Sequence, residues 1–280
     1  MCMFKSGIIL KDRVFVPDYD HHTEMLEELK IKDTEKNAQN LFVRAELVPE
    51  NGDVFTPVET WRFNVDQDIV PDWFVAEYER ERMVAAVKEW AKSHIHIGKD
   101  NLVIDAGRNH YIKDCKNVVI KGSASISEVC GSASISKVCG SASISKVCGS
   151  ASISYVYDSA SISEVCGSAS ISYVCDSASI SYVCGSASIS YVCGSASISY
   201  VYDSASISYV CDSASISYVC GSASISYVCG SAMIASSPYS NWSNKDKVII
   251  SENATFKDNQ TKTIWQSGDW KVQMVNTEEK

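Results

Sequence analysis

From residue 122 onward, apolar and polar positions recur with fixed phase. The unit Gly/Asp-Ser-Ala-Ser-Ile-Ser-Tyr-Val-Cys is written in twelve complete copies over 122–229, and a decaying thirteenth fills 230–238. Within each copy Ala and Ile alternate with Ser. A period of two is that of a strand with one buried face, so Ala and Ile point inward and the serines outward. The Tyr position is also held by Glu128, Lys137, Lys146 and Glu164. A position that accepts both signs of charge faces water, and its tyrosines are expected to do the same. Val returns inward, which predicts a bend between Ser and Val and another at Gly or Asp. Disordered low-complexity tracts do not keep Ile and Val in phase, whereas a short fixed period signals stacked repeats.

One nonapeptide is too short to close a coil around a core, but two give 18 residues, enough to go out and return. At that spacing Glu128, Lys146 and Glu164 form one column of alternating charge, which is favourable between strand neighbours. At a spacing of nine, Lys137 would lie on Lys146. The pattern therefore predicts a β-solenoid of about six coils, on the order of 29 Å long at roughly 4.8 Å per coil.

The same spacing predicts two tyrosine columns. One is Tyr182, Tyr200 and Tyr218; the other is Tyr155, Tyr173, Tyr191, Tyr209 and Tyr227. These side chains are the candidate binding surface, since Tyr supplies contact area at low entropic cost. A tyrosine ladder also stabilises parallel stacking whether or not anything binds it. The Cys position stacks likewise, as Cys130, Cys148, Cys166, Cys184, Tyr202, Cys220 and as Cys139, Tyr157, Cys175, Cys193, Cys211, Cys229. One Tyr in each column implies a corner with room outside it. Neighbouring Cα atoms would fall within disulfide range. Thiolate metal binding lacks any Cys-x-x-Cys clip, so reduced packing thiols and no metal site are expected.

Residues 1–103 read as a small α/β head. A strand is predicted at 7–17, a helix at 20–31 with Met25, Leu26 and Leu29 inward and Asp20 or Thr23 as its cap, and strands at 41–49 and 59–66 around the turn sequence ENGD. A longer helix is predicted at 71–93, opened by Pro71 and Asp72, with Ala76, Met83, Val87 and Trp90 on one face. A solenoid exposes open strand edges and needs caps. Residues 104–121 supply an irregular first coil. The solenoid is assigned to 122–238, and 239–280 to a C-terminal β cap. There, 246–259 reads as a last imperfect coil in which Glu252-Asn253-Ala254-Thr255-Phe256 echoes Gly-Ser-Ala-Ser-Ile, and 263–275 as a hairpin turning at Ser267-Gly268-Asp269.

Charge and composition narrow the functions. With 25 Lys+Arg against 34 Asp+Glu the net charge is -9, which argues against direct nucleic-acid binding. The chain shows no apolar stretch long enough for a membrane span, and its first apolar run, Gly7 to Leu10, is too short for a signal-peptide core. A cytoplasmic protein with reduced thiols is expected, so the sequons at Asn241, Asn253 and Asn259 carry no weight. No nucleophile elbow, phosphate loop or dinucleotide fingerprint is present. His94-Ile95-His96 would put two imidazoles on one strand face, a candidate metal pair, and Asp18, Asp20, His21, His22 and Glu24 cluster near a helix start. Both sets are expected to be surface and capping residues.

The nonapeptide resembles the RTX β-roll in length and in its apolar eighth position, Val129, Val138 and onward, but Gly-Ser-Ala-Ser-Ile-Ser replaces the calcium-binding half, so no calcium is implied. Ala-Ser-Ile resembles the Ala-x-Leu centre of pentapeptide-repeat proteins, some of which are acidic DNA mimics. The Ser-x-Ser rows resemble the Thr-x-Thr rows of insect ice-binding solenoids without their methyl groups. Hexapeptide-solenoid acyltransferases use a His between coils, and these repeats hold none. FVRAELVP at 42–49 and FNVDQDIVPDWF at 63–74, joined to a nonapeptide array, resemble uncharacterised bacterial and bacteriophage proteins, a likeness that implies no activity.

The expectation is a non-enzymatic structural or interaction protein with no cofactor, presenting a rigid Ser/Tyr surface to another protein or serving as a spacer. Near-identical repeats let the array change length while the role survives. The alternative is an acidic DNA mimic that inhibits a nucleic-acid enzyme, drawing on Glu128, Asp158, Glu164, Asp176, Asp203 and Asp212.

Overall fold

The computed structural model describes residues 4–266 and 273–274. The chain divides into two units, one of Met1–His96 with Arg108–Tyr111, the other of Ile97–Gly107 with Ile112–Lys280.

The second unit is a β-solenoid of about 9 coils. Its parallel strands pair at a spacing of 18, Ile171 with Ile189, Tyr173 with Tyr191 and Val174 with Val192, and this register repeats through the array. Consecutive nonapeptides alternate between two sheets. Ala, Ile and Val of every copy are buried, and together they form one continuous core. Each coil thus adds two Ile and two Val, each contributing about 1.5–3 kcal/mol of transfer free energy against the entropy of ordering the chain. The bend expected between Ser and Val lies inside a single strand, such as Ser170–Val174. Ile171 points in, Ser172 and Tyr173 point out together, and Val174 returns. The second bend is a tight corner in which Ala151 N donates to Cys148 O around Gly149, whose φ is +67°.

Six coils belong to the perfect repeats, and the remainder come from irregular sequence. At the N-terminal end Val103–Ile104 pairs with Val118–Ile120 at a spacing of 16. At the C-terminal end Ile249–Ile250 pairs with Ser224–Val228, and Thr255–Asp258 with Met233–Ser236, both at a spacing of 22. The longer circuit carries Trp242 into the core. Glu252 takes the corner at φ +56° while Ala254 and Phe256 point inward, as the echo of the repeat predicts. Thr263–Gln266 runs antiparallel to Thr255–Asp258 and pairs with Gln273–Met274; the turn expected at Ser267-Gly268-Asp269 lies outside the described residues.

The first unit contains a four-stranded antiparallel sheet in the order Val14–Phe15, Lys5–Leu10, Phe42–Val48, Arg62–Val65. The strand expected at 7–17 is therefore a hairpin, closed by Leu10 N donating to Arg13 O. Alternation along these strands gives two buried faces. Ile8 and Phe42 meet Met25 and Leu26 of the helix His22–Glu28 on one side. On the other, Ile9, Val43, Ala45 and Leu47 meet Met83, Val87 and Trp90 of the helix Ala76–His94. That helix starts at Ala76 rather than at 71. Pro71 instead opens a turn closed by Phe74 N, and Trp73 Nε1 ties that turn to Asn40 O. ENGD forms a 3-10 turn with Asn51 at φ 54°, the first part of a longer connection between the two strands. Among the described residues no helix is long and apolar enough to cross a membrane.

Candidate functional site

The two tyrosine columns form as the 18-residue register requires. In the longer one, ring centroids lie 5.2 Å apart from Tyr155 to Tyr173, 5.0 Å from Tyr173 to Tyr191 and 4.9 Å from Tyr191 to Tyr209, with planes within 11° of parallel. Tyr227 ends the column tilted by 50° at 5.8 Å. The shorter column spaces Tyr182, Tyr200 and Tyr218 at 5.3 and 5.0 Å. Coil spacing on a rigid sheet sets the backbone positions that bring these rings into stacking distance. Tyr155, Tyr182, Tyr200 and Tyr209 are exposed and the other four half-buried. Each column is a strip of ring edges and hydroxyls beside outward serines. At the N-terminal end of the shorter column Lys146 pairs with Glu128 on one side and Glu164 on the other, the alternating stack read from the sequence.

At the corners the cysteines are buried or half-buried, and no disulfide joins those described. Burial, helped by the Glu128 charge, pushes the Cys130 thiol up to about 12. Burial and a hydrogen bond to Glu164 do the same for Cys166, also to about 12, and burial with the facing Cys175 thiol raises Cys193 to about 12. Cys148 donates to Glu128 Oε1 at 3.4 Å. Thiols held this firmly are poor nucleophiles and poor metal ligands at neutral pH.

The aspartates of the array have a structural task that the sequence did not reveal. Asp158, Asp176, Asp203 and Asp212 stand where other copies have Gly, with φ between 55° and 58°. Each carboxylate accepts a backbone N–H from the preceding coil: Asp158 from Gly140 at 3.0 Å, Asp203 from Gly185 at 3.2 Å, Asp212 from Gly194 at 2.9 Å and Asp176 from Asp158 at 3.4 Å. Glu252 repeats the contact with Gly230 N at 2.6 Å. The hydrogen bond offsets the left-handed backbone that a residue with Cβ resists.

The structure places His94 and His96 on different elements and brings His110 between them. His94 ends the helix, not a strand; it stacks on Trp90 at 4.6 Å, donates through Nδ1 to Trp90 O at 2.8 Å and faces Asp18 Oδ1 through Nε2 at 3.1 Å. His96 lies on the following strand with Nε2 3.4 Å from His110 Nδ1, so the pair expected on one strand face is replaced by a stack through His110. Of the cluster near residue 20, Asp20 is not the helix cap. It accepts from the buried Lys5 ammonium at 2.8 Å and from Ser6 N at 3.0 Å, stronger demands than a cap makes. Thr23 does not cap the helix either, which begins after His21 without a side-chain cap. His22 is buried, with Nδ1 3.2 Å from Asp66 Oδ2 and Nε2 3.4 Å from Ala45 O, a meeting of distant segments that periodicity could not signal.

Comparisons with protein-family models, curated proteins and solved structures found no match to this chain.

Proposed function

We propose that this is a non-enzymatic interaction protein whose solenoid holds tyrosine and serine rows in a fixed lattice for a protein partner. The observation that carries this reading is the longer ladder: five tyrosines rooted at coil spacing, four of them stacked face to face and two well exposed, on a sheet whose register fixes where each one stands. Aromatic side chains that are already ordered lose little entropy on binding, which favours recognition over simple spacing. The reading places the work in a reducing, cytoplasmic setting, where the corner thiols stay as thiols, and it calls for no cofactor. Against the DNA-mimic alternative stands the use of the array aspartates: their carboxylates are committed to backbone N–H groups rather than arranged as a free row.

The test is affinity capture with the full chain and with a Tyr173→Ser, Tyr191→Ser, Tyr209→Ser variant whose far-UV spectrum matches the parent. A partner retained by the parent and lost by the variant supports the reading. Identical partners on both, or inhibition of a topoisomerase by micromolar protein, refutes it.

A further inference from the structure

Away from the ladders, three segments of the head converge on one point. The ligand atoms of His22, Glu46 and Asp66 all lie within 4.8 Å of one another. His22 begins a helix, Glu46 sits in the central strand Phe42–Val48, and Asp66 directly follows the edge strand Arg62–Val65. His22 and Glu46 are buried while Asp66 opens to solvent.

We propose that His22, Glu46 and Asp66 bind a single divalent first-row cation. Four features of the site point this way. The donor set of one imidazole and two carboxylates suits such a cation, and two carboxylate charges balance its own. The His22 ring is oriented as a metal-bound imidazole is. Nε2 sits against the Ala45 carbonyl at 3.4 Å, leaving Nδ1 toward Asp66, and ligating histidines commonly donate their second N–H to a backbone carbonyl. The exposed Asp66 gives the ion an entry path and leaves coordination positions for water, the open arrangement that three protein ligands produce.

The fourth feature is independent of the ligands. Ser6 is fully buried, pairs directly across from Glu46, and its hydroxyl has no hydrogen-bond partner. Residues directly opposite in an antiparallel pair share a face. An orphaned buried hydroxyl is costly and calls for an explanation. A water bound to the cation beside Glu46 would supply its partner. Ligand atoms around an ion at about 2.0–2.2 Å stand about 3–3.5 Å apart, so the site closes with a shift on the order of an ångström.

Mn²⁺ is the probe of choice because it prefers oxygen and nitrogen ligands, so the array thiols compete poorly for it. Electron paramagnetic resonance of free Mn²⁺ titrated against the full chain should show one equivalent bound. Glu46→Gln and Asp66→Asn should each weaken binding at least about tenfold, while Asp158→Asn, in the array, should leave it unchanged. Should Glu46→Gln fail to fold, nuclear magnetic resonance on the unmodified chain decides: bound Mn²⁺ should broaden the signals of His22, Ala45 and Ser6 first. No binding up to millimolar Mn²⁺, binding that none of the head variants weakens, or broadening centred elsewhere would overturn the assignment.

Discussion

Replacing Trp242 with Ala should unfasten the C-terminal end of the solenoid while leaving its middle intact. Trp242 is 1% exposed, lies edge-on to Phe256 at 5.4 Å, and donates through Nε1 to Ala223 O at 2.7 Å. Its neighbours are tied to the same corner, with Gly221 N donating to Asn241 O and Ser243 N to Gly221 O. Truncating a buried Trp costs about 3–5 kcal/mol, while Ala223 O keeps a second donor, Asn244 Nδ2 at 3.2 Å. Each coil of a stacked array touches only its neighbours, so the loss stays local. Of that total, about 3–4 kcal/mol should appear as easier opening of the last coil, which accelerates amide exchange there roughly 10²–10³-fold. Hydrogen–deuterium exchange read by mass spectrometry should show faster exchange at Ala254 and Phe256 and unchanged protection near Ile171 and Ile189. The bared strand edge should also promote end-to-end association, visible by light scattering. Unchanged exchange at Ala254 would mean that Trp242 is not the fastening.

Other outcomes follow from the corners and the cap. Gly122→Ala places a Cβ 2.4 Å from Asp105 O at φ +63° and should cost at least about 2 kcal/mol in urea unfolding, whereas Gly185→Asp, able to accept from Gly167 N–H, should stay within about 0.5 kcal/mol of the parent. Cys166, raised to about 12, should carry a thiolate fraction on the order of 10³ below that of an ordinary cysteine at pH 7.5. Its alkylation rate should keep climbing past pH 10, and a plateau near pH 9 would contradict the burial argument. At Asp258 burial opposes the charge, but hydrogen bonds from Lys245, Thr261 and Ser236 outweigh it and hold the carboxyl at about 2. Its stabilisation is present above about pH 4 and is lost as pH falls through about 2, so Trp242 fluorescence should change in that window; a change centred above pH 5 would assign the effect to another group.

The core of the array was readable because its rule is local and repeated. Ala and Ile at alternate positions state which way each side chain points, and Glu128, Lys146 and Glu164 select the 18-residue circuit by charge alone. The terminal coils were harder. Circuits of 16 and 22 residues break the period, so about 9 coils stand where the repeats announce six. Trp242 gives no signal of its role because it enters the core from an insertion without alternation. In the head, the helix start shifted to Ala76 because Trp73 anchors the preceding turn, and Asp20 gave up its capping role to a buried lysine. Long-range partners decided both, and a single segment does not carry that information. The grouping of His22 with Glu46 and Asp66 is of the same kind.

The equivalence of the two half-circuits has a consequence for how such an array changes over generations. Slippage that removes one nonapeptide leaves every remaining strand a partner of matching sequence, so the winding survives either parity. An even change merely shortens the stack. An odd change rotates everything downstream by half a revolution, and the aromatic rows beyond the joint continue on the opposite side. Copy number therefore acts as a two-position dial on which flank meets the outside world, adjustable in single steps without a point mutation.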